Sequence, residues 1–242
     1  MASYHLSIKS GKKGKAAEHA AYIAREGKHG KNGKREDLLA LEHGNLPEWA
    51  NGNPDYFWRM ADKHERKNGA AYREFEIALP RELTLSQNLE LVREFIKEEV
   101  GDKPYQVAIH APAAALGDDK QPHSHIIISD KKPDGIVRTP EQHFKRYNSA
   151  RPELGGCKKD SGGREPAKLK EEVISRRKLV ADIQNRHLEM HGYDARVDYR
   201  SNRDRGIEAD AERHLGSAAI KRMTEEEKVR YKENRQGMLH SA

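Results

Sequence analysis

The stretch QPHSHIIISD, residues 121–130, places two histidines immediately before a run of three isoleucines. The β-branched run 126–128 predicts a buried strand, because a proline precedes it and the turn sequence DKKPDG follows it. Alternate residues of a strand point to the same face, so His123 and His125 are expected to project side by side. That arrangement suits two ligands of one metal ion, although a pair of exposed histidines at a strand edge is the commoner explanation of this motif alone.

The rest of the chain alternates strand and helix signals. Alternating polar and apolar residues predict further strands at 4–10, 72–80 and 104–111, and a shorter strand at 195–201. Apolar periodicity with capping residues and terminating glycines predicts helices at 16–26, at 53–68, from 84 or 86 to about 100, and from about 167 to 191. The stretch 143–166, rich in glycine and basic residues, is interpreted as an exposed, mobile loop. Consecutive strands are joined by hairpins or helices, so the predicted fold class is α+β: a central antiparallel sheet flanked by helices on one face, with a basic helical C-terminal portion.

Length and composition narrow the class of protein. The 242 residues suit one principal domain over 1–200 with a C-terminal extension over 201–242. The single cysteine, Cys157, excludes an internal disulfide framework and a cysteine-rich zinc module. The sequence has no apolar run of the about 18 residues that a membrane span needs, and its N-terminus has no apolar signal core. A cytoplasmic protein without membrane insertion is therefore expected.

Charge is distributed unevenly along the chain. Lys and Arg outnumber acidic residues by nine to two in residues 1–35 and by twenty-one to seventeen in 151–242, whereas acidic residues lead by twenty to fifteen in 36–150. The net charge is +6. An acidic middle with basic ends suits a core flanked by phosphate-binding segments, although lysines that only increase solubility would give the same totals.

A third histidine changes the interpretation of the first two. His110 lies near the end of the strand that precedes the H-x-H strand, so antiparallel pairing can bring it beside His123 and His125. Three imidazoles favour zinc, nickel or another transition ion over magnesium. Glu74 and Glu76 are polar residues on an otherwise apolar strand, and they are candidate acceptors for the second ring N–H of such ligands. Three unrelated histidines and two solvent-facing glutamates are the alternative.

Tyr22 is the candidate nucleophile. It lies on the alanine-rich helix 16–26, between the basic loops GKKGK and KHGKNGK. A tyrosine hydroxyl in that position can attack phosphorus and become covalently attached, while a metal ion polarises the phosphate. The alternative is that Tyr22 only rests its ring on the sheet.

The chain closely resembles the relaxases of the MobA/MobL family, which are plasmid mobilisation nucleases of the HUH (His-hydrophobe-His) class. The resemblance rests on motifs in the same order: YHLSIKS, HAAYIAREGK, EFEIALP, YQVAIHA, PHSHIIISD, DGI, FKRYN and HLG. It covers residues 4–147 and extends more loosely to about residue 219. Ser124 stands between the two histidines where the class has a bulky hydrophobe. Because its side chain is expected to point away from the histidine face, little consequence is expected.

The resemblance implies a relaxase domain over 1–200 that nicks one DNA strand at a plasmid origin of transfer, in the bacterial cytoplasm. It also implies the roles of the candidate residues: nucleophile for Tyr22, metal ligand for His110, His123 and His125, and support of the site for Glu74 and Glu76. The product would be a 5′-phosphotyrosine link beside a free 3′-hydroxyl, and the reverse reaction would religate the strand. The family is usually supported by Mn²⁺ or Mg²⁺, whereas three imidazoles favour Zn²⁺ or Ni²⁺. The ion is therefore left open.

The implied partner is single-stranded or locally melted origin DNA with an adjacent hairpin. The side chains expected to contact its phosphates are Arg25, Lys28, Lys31, Lys34, Arg35, Lys145 and Arg146. The loop 157–170 is expected to add to them, and the stretch 142–166 or the C-terminal helices to hold the hairpin. Accessory mobilisation proteins and a coupling protein of the transfer apparatus are further expected partners.

Three other functions fit parts of the pattern. A rolling-circle replication initiator shares the chemistry, but a tyrosine that precedes the histidine motif favours the mobilisation branch. A zinc-dependent hydrolase of a small substrate would bind zinc tightly and form no covalent DNA adduct. A non-catalytic DNA-binding module would bind DNA in a salt-sensitive manner without nicking it.

Overall fold

Strands and helices alternate along the chain, largely as its sequence predicts. The computed structural model describes residues 4–30, 37–113, 120–208, 217–220 and 222–240. The strands are β1 (Leu6–Lys12), β2 (Leu38–Gly44), β3 (Ala70–Ala78), β4 (Tyr105–His110) and β5 (His123–Ile128). The helices are α1 (Ala16–Ile23), α2 (Pro54–His64), α3 (Leu85–Phe95), α4 (Pro140–Phe144), α5 (Pro166–Met190), α6 (Ser217–Ile220) and α7 (Glu225–His240). Within these ranges, no helix combines the length and apolar character that crossing a membrane requires.

The described strands form one antiparallel five-stranded sheet in the order β1-β3-β5-β4-β2. The middle strand is β5, and its isoleucines at 126–128 are buried, as the β-branched run predicts. The pairing puts His123 directly opposite His110 on β4, and His125 opposite Glu76 on β3. The α+β class and the antiparallel sheet are therefore confirmed, and the strands that carry the histidines are neighbours.

Helices cover both faces of the sheet, which corrects the expectation of a single covered face. Residues of α3 and α5 form one apolar core with Phe75 and Ile126. Residues of α1, α2 and α4 form a second core with Tyr72 and Ile127. Neighbouring residues of a strand point to opposite faces, so an uninterrupted apolar run in the middle strand requires cover on both sides.

The start of α1 is set by a side chain, and its end by the backbone conformation. At the start, the carboxylate of Asp62 accepts hydrogen bonds from three backbone N–H groups around residue 16, at 2.7 to 2.9 Å. This carboxylate occupies the anion position that a helix N-terminus offers, so the basic loop before α1 does not leave that terminus open for a phosphate. The helix ends at Ile23 instead of residue 26, because Arg25 has a left-handed backbone with a φ of 53°.

The sequence pattern of the edge strand β2 does not indicate a strand. Its residues Leu39 and Leu41 are apolar and exposed, whereas Glu42 lies on the half-buried side. Leu38 and Ala40 on the half-buried side are apolar as well, so the residues 38–41 show no alternation and periodicity alone does not predict β2. Pairing with β4 holds it in the sheet, with Leu38 opposite His110. As a result, β2 borders the end of the sheet that carries the histidines.

The stretch 195–201 is not a strand, so its prediction was wrong. The N–H of Val197 donates to Oδ1 of Asn185 on α5 at 2.8 Å, and Nδ2 of Asn185 donates to the carbonyl of Val197 at 2.9 Å. One side chain thus satisfies the donor and the acceptor that a neighbouring strand would take. The segment therefore lies along α5 instead of joining the sheet. The division of the chain near residue 200 stays a prediction.

The stretch 143–166 is anchored and partly buried, which corrects its interpretation as an exposed loop. Phe144 and Cys157 within it are buried. The buried ammonium of Lys131 donates to three of its carbonyls at 2.9 to 3.3 Å, and the buried guanidinium of Arg138 donates to two more at 3.0 Å. Burial lowers the pKa of Lys131 to about 8, so the ammonium is still mostly charged at neutral pH. Two buried cations thus hold a segment that has few apolar side chains of its own.

Replacing Lys131 tests this anchoring. Lys131→Met keeps the apolar stem but leaves three carbonyls without their charged donor, so the free energy of unfolding is expected to fall by about 3 kcal/mol. Lys132→Met is the matched control, because Lys132 is exposed, and it is expected to change the free energy by less than about 0.5 kcal/mol. Urea unfolding of both variants measures the difference. Equal effects of the two substitutions would contradict the anchoring role.

Candidate active site

β4 and β5 bring three histidines together at one end of the sheet. His110 and His123 are paired directly across the two strands, and His125 follows on the same face. The ring nitrogens that can serve as ligands lie within 4.8 Å of one another. His110 and His125 are buried, and His123 is partly exposed. The structure thus gathers the three histidines that the sequence predicts as ligands, and we call them the histidine group.

The hydrogen bonds of these rings fit a metal site. Nε2 of His110 lies 2.7 Å from the carbonyl oxygen of Ile23, and Nδ1 of His123 lies 3.0 Å from the carbonyl two residues earlier, so each of these nitrogens carries the ring proton and donates. Nδ1 of His125 lies 2.7 Å from Oε1 of Glu74 and donates to it. Each ring therefore keeps one nitrogen with a lone pair, as in metal sites where the other N–H donates to a carbonyl or carboxylate.

Burial keeps the rings in the form that binds metal. Burial, with a further contribution from the charge of Arg25, lowers the pKa of His110 to about 4. Burial also lowers the pKa of His123. Both rings are therefore neutral at neutral pH, and neutral imidazole is the ligand form. The histidine group fits a divalent metal ion in its spacing, its hydrogen bonds and its protonation.

Glu74 and Glu76 project from β3 on the same face as the histidines. Glu74 is 2% exposed, and its Oε1 lies 2.7 Å from Nδ1 of His125 and 3.0 Å from Nε2 of His19. Burial by itself would raise the pKa of Glu74, but the hydrogen bond from His125 and the close approach of His19 outweigh it and lower the pKa well below its usual range. Glu76 instead forms an ion pair with Lys9 on β1. Glu74 thus orients His125 directly, while Glu76 pairs with a cation beside it.

Tyr22 lies in the last turn of α1, which adjoins the histidine group. The next residue, Ile23, supplies the carbonyl that His110 contacts, so this turn is fastened to the group by a 2.7 Å hydrogen bond. The side chain of Tyr22 is 38% exposed. Its ring stacks on that of His19, with centroids 6.0 Å apart and planes at 22°, and meets the ring of His29 edge-on at 5.5 Å. The candidate nucleophile is therefore beside the histidine group and open to a large substrate.

Arg25 lies between Tyr22 and the histidine group. Only 6% of it is exposed, and its guanidinium forms a two-point ion pair with Asp37 at 2.9 and 3.0 Å. Cζ lies 5.0 Å from the centroid of the Tyr22 ring, and Nη2 lies 3.4 Å from Nδ1 of His110. The latter contact is long for a hydrogen bond, so it competes weakly for the lone pair of that nitrogen. Arg25 directs its charge into the site, in contrast to the other predicted DNA contacts.

Those other basic residues lie at the surface where they are described. Lys28 pairs with Glu18 at 2.8 Å, and Lys145 pairs with Glu141 at 3.1 Å. Arg146 is also exposed. Exposed surface pairs of this kind contribute little to stability, so a phosphate can replace the carboxylate at small cost. The remaining predicted contacts lie outside the described residues: Lys31, Lys34 and Arg35.

Two residues of the site were missed from the sequence. His19 precedes Tyr22 by three positions, and the spacing H-x-x-Y puts both side chains on one face of a helix, which is a usable signal. Asp37 has no comparable signal, because its role depends on the approach of Arg25 from α1. In both cases the decisive contact joins α1 to the sheet.

The sequence profile of the MobA/MobL family matches residues 17–226. The chain is 48% identical over 209 residues to the "43 kDa relaxation protein" of Salmonella typhimurium, covering 86% of this chain and 56% of that protein. It is 40% identical over 223 residues to "Mobilization protein A" of Escherichia coli, covering 91% of this chain and 30% of that protein. A solved structure described as "Molecular Basis of Vancomycin Resistance Transfer in Staphylococcus aureus" aligns with a TM-score of 0.60 at 24% identity, over 83% of this chain and 100% of that one.

The family profile and the two relatives agree on the family. The chain spans little more than half the length of the first relative and less than a third of the second. The aligned structure supports the fold. Because the profile match covers most of the chain and the identity to the relatives is high, this chain belongs to the MobA/MobL family.

Proposed function

We propose that this chain is the relaxase part of a plasmid mobilisation protein, and that it cleaves one strand of origin-of-transfer DNA through Tyr22. The observation that carries the proposal is the junction of α1 with the histidine group, where the residue after Tyr22 accepts a hydrogen bond from His110. A tyrosine beside a group that can hold a divalent ion suits nucleophilic attack on phosphorus. The printed names of the relatives, a relaxation protein and a mobilization protein, support the same activity.

The proposed step exchanges one phosphodiester for another. Oη of Tyr22 loses its proton and bonds to phosphorus, the bond from phosphorus to the 3′ oxygen breaks, and that oxygen leaves as a hydroxyl after taking a proton. The 5′ phosphate stays on Tyr22. Since no ester is lost to water, the free 3′-hydroxyl can attack the phosphotyrosine and reseal the strand.

The histidine group and its neighbours would serve this step by charge and position. A divalent ion held by the three histidines would supply positive charge that polarises the scissile phosphate. The hydrogen bond from His125 to Glu74 fixes the orientation of that ring and raises its basicity, which strengthens its binding of an ion. Glu76 adds negative charge opposite His125 in the sheet. Mn²⁺ and Mg²⁺ agree with the family resemblance, and Zn²⁺ or Ni²⁺ with the three-imidazole set.

The proposed substrate is single-stranded or locally melted DNA, because a phenol must reach the phosphorus atom in line with the leaving oxygen. Lys28, Lys145 and Arg146 are exposed and are proposed to bind its phosphates. Accessory mobilisation proteins and a coupling protein stay predictions.

Tyr22→Phe tests the nucleophile, since it removes only the hydroxyl. The variant is expected to form no covalent adduct with 3′-end-labelled single strands that tile the plasmid origin, in the presence of Mn²⁺, on a denaturing gel. Its affinity for the same strands is expected to match that of the wild type. Tyr147→Phe is the matched control and is expected to keep the adduct. If the adduct survives in Tyr22→Phe and disappears in the control, the nucleophile is the other tyrosine.

Removal of a histidine tests the metal site. His125→Ala is expected to weaken binding of Mn²⁺, Ni²⁺ and Zn²⁺ by more than about 100-fold, and Glu74→Gln by about 10-fold, because the first removes a ligand and the second its hydrogen-bond partner. Titration calorimetry with each ion measures both effects and ranks the ions. His43→Ala, on the exposed side of β2, should bind like the wild type. Unchanged binding by His125→Ala would exclude the histidine group as the metal site.

Charge reversal tests the proposed DNA contacts. The double variant Lys28→Glu and Lys145→Glu is expected to bind single-stranded origin DNA more weakly. The slope of the logarithm of the binding constant against the logarithm of the salt concentration is expected to be shallower by about 0.7 for each phosphate that the variant no longer neutralises. Fluorescence anisotropy at several salt concentrations measures both quantities. Lys178→Glu reverses a charge on α5, which packs on the opposite face of the sheet, and is expected to leave both unchanged. An equal weakening in the control would point to net charge instead of a binding surface.

A further inference from the structure

We propose that His19 takes the proton from the hydroxyl of Tyr22 during the attack on the DNA phosphate. The inference rests on the proposed function and adds the proton acceptor to it. His19 and Tyr22 stand on one face of α1 at successive turns, and their rings stack with centroids 6.0 Å apart. A base on the same helix has a position relative to the nucleophile that the helix itself fixes.

The neighbours of His19 stabilise the positive charge that the ring acquires with a proton. Nε2 of His19 lies 3.0 Å from Oε1 of Glu74, and the ring stacks on Tyr72 at 4.9 Å with planes at 11°. A carboxylate at that distance can balance the positive charge of the ring while the ring holds the proton of Tyr22. A carboxylate that supports a histidine, which in turn activates a hydroxyl, is the division of roles in other nucleophilic enzymes.

The stack under His19 is built into the sheet. Gly11 on β1 is paired with Tyr72 on β3, and a Cβ at Gly11 would come within 1.9 Å of the Tyr72 ring. Glycine at this position therefore lets the ring lie flat over the edge strand, where it supports the imidazole. The location of His19 is thus fixed by the pairing of β1 with β3 and by α1.

The contact between His19 and Glu74 is short, but it does not have the alignment of a hydrogen bond. Within the described part of the chain, Nε2 of His19 makes no aligned hydrogen bond, whereas the carboxylate of Glu74 accepts one from Nδ1 of His125. The ring can therefore turn toward Tyr22 without breaking a strong hydrogen bond, while the charge of Glu74 still acts on it. Glu74 in this way joins the proposed proton acceptor to the histidine group.

Other titratable groups near Tyr22 are less suited to accept its proton. The pKa of Glu74 is lowered well below its usual range, despite its burial, by the two imidazoles, so its carboxylate is a weak base. Glu76 is paired with Lys9, whose charge also acts on Glu74 and Tyr22. His29 meets the Tyr22 ring only edge-on, and among the described residues no carboxylate contacts it. His29 is therefore the matched control.

The proton balance is closed in both directions. During cleavage the O–H bond of Tyr22 breaks and its proton moves to a ring nitrogen of His19, Oη bonds to phosphorus, the bond from phosphorus to the 3′ oxygen breaks, and that oxygen takes a proton from solvent water. During resealing the 3′-hydroxyl loses its proton as it attacks, and His19 returns a proton to Oη of Tyr22. No oxidant or further reactant is required.

The test is the pH dependence of adduct formation. Single-turnover rates are measured for the wild type, His19→Gln and His29→Gln, with Mn²⁺ and the origin strand that the wild type cleaves, from about pH 5.5 to about pH 9. The wild-type rate is expected to fall at low pH, because imidazolium cannot take a proton. His19→Gln is expected to lose that dependence and to be about 100-fold slower at the plateau, whereas His29→Gln keeps the wild-type profile.

The outcomes separate this inference from the proposed function. No adduct from the wild type on any origin strand overturns both. If His19→Gln forms the adduct with the same dependence of rate on pH as the wild type, only the role of His19 is overturned. If His29→Gln loses that dependence, the proton acceptor is His29 instead. Thermal unfolding and Mn²⁺ titration show whether His19→Gln is folded. If it is not folded, the pKa of the His19 ring is measured by NMR in the wild type, with the ring assigned through its contact with Tyr72. This pKa must equal the pKa at which the wild-type rate falls, and a mismatch overturns the inference.

Discussion

The position of β5 between β3 and β4 is the constraint on which the site depends. Apolar cores cover both faces of β5. A shift of its register by one residue would move every side chain of the strand, the histidines included, to the opposite face of the sheet. In the observed register His123 faces His110, and His125 faces Glu76. Burial of apolar side chains thus fixes the positions of polar ones. The histidine group is arranged by the sheet, before any ion contributes to it.

Two buried charged side chains, each with its partners, flank this group from different directions. Glu74 is held by imidazoles on one side, and Arg25 by Asp37 on the other. A buried charge without a partner is costly, and removal of one member of such a pair usually costs more than the pair contributes. Both pairs connect elements that are distant in sequence: Glu74 lies on β3 and Asp37 immediately before β2. The charges therefore tie α1, with its tyrosine, to the sheet as well as setting the electrostatics of the site.

Local signals predicted most of the fold. The strict alternation at 72–80 indicates β3, and Asn53 caps α2 by accepting a hydrogen bond from the N–H of Tyr56, as its position suggests. β2 was not predicted because apolar residues lie on both of its faces, and 195–201 was wrongly predicted as a strand because Asn185 takes the place of a strand partner. In each failure a tertiary contact outweighs the local pattern.

The same division applies to the site. The histidine group could be inferred because the two-residue period of a strand and one antiparallel pairing are enough to bring its members together. The contacts of His19 with Glu74 and of Arg25 with Asp37 could not, since both depend on the angle and depth at which α1 lies on the sheet. No periodicity within a single element encodes that approach.

The left-handed backbone of Arg25 has a consequence for how this chain can vary. Glycine adopts a positive φ without steric cost, whereas arginine carries a penalty of about 1 kcal/mol there. The site nevertheless requires a guanidinium at that point, between the tyrosine ring and a histidine. Glycine would relieve this strain, but it would leave the carboxylate of Asp37 without its guanidinium, which costs more than the strain. Laboratory selection for heat resistance alone would therefore keep arginine at residue 25, because its ion pair with Asp37 outweighs the strain of its backbone.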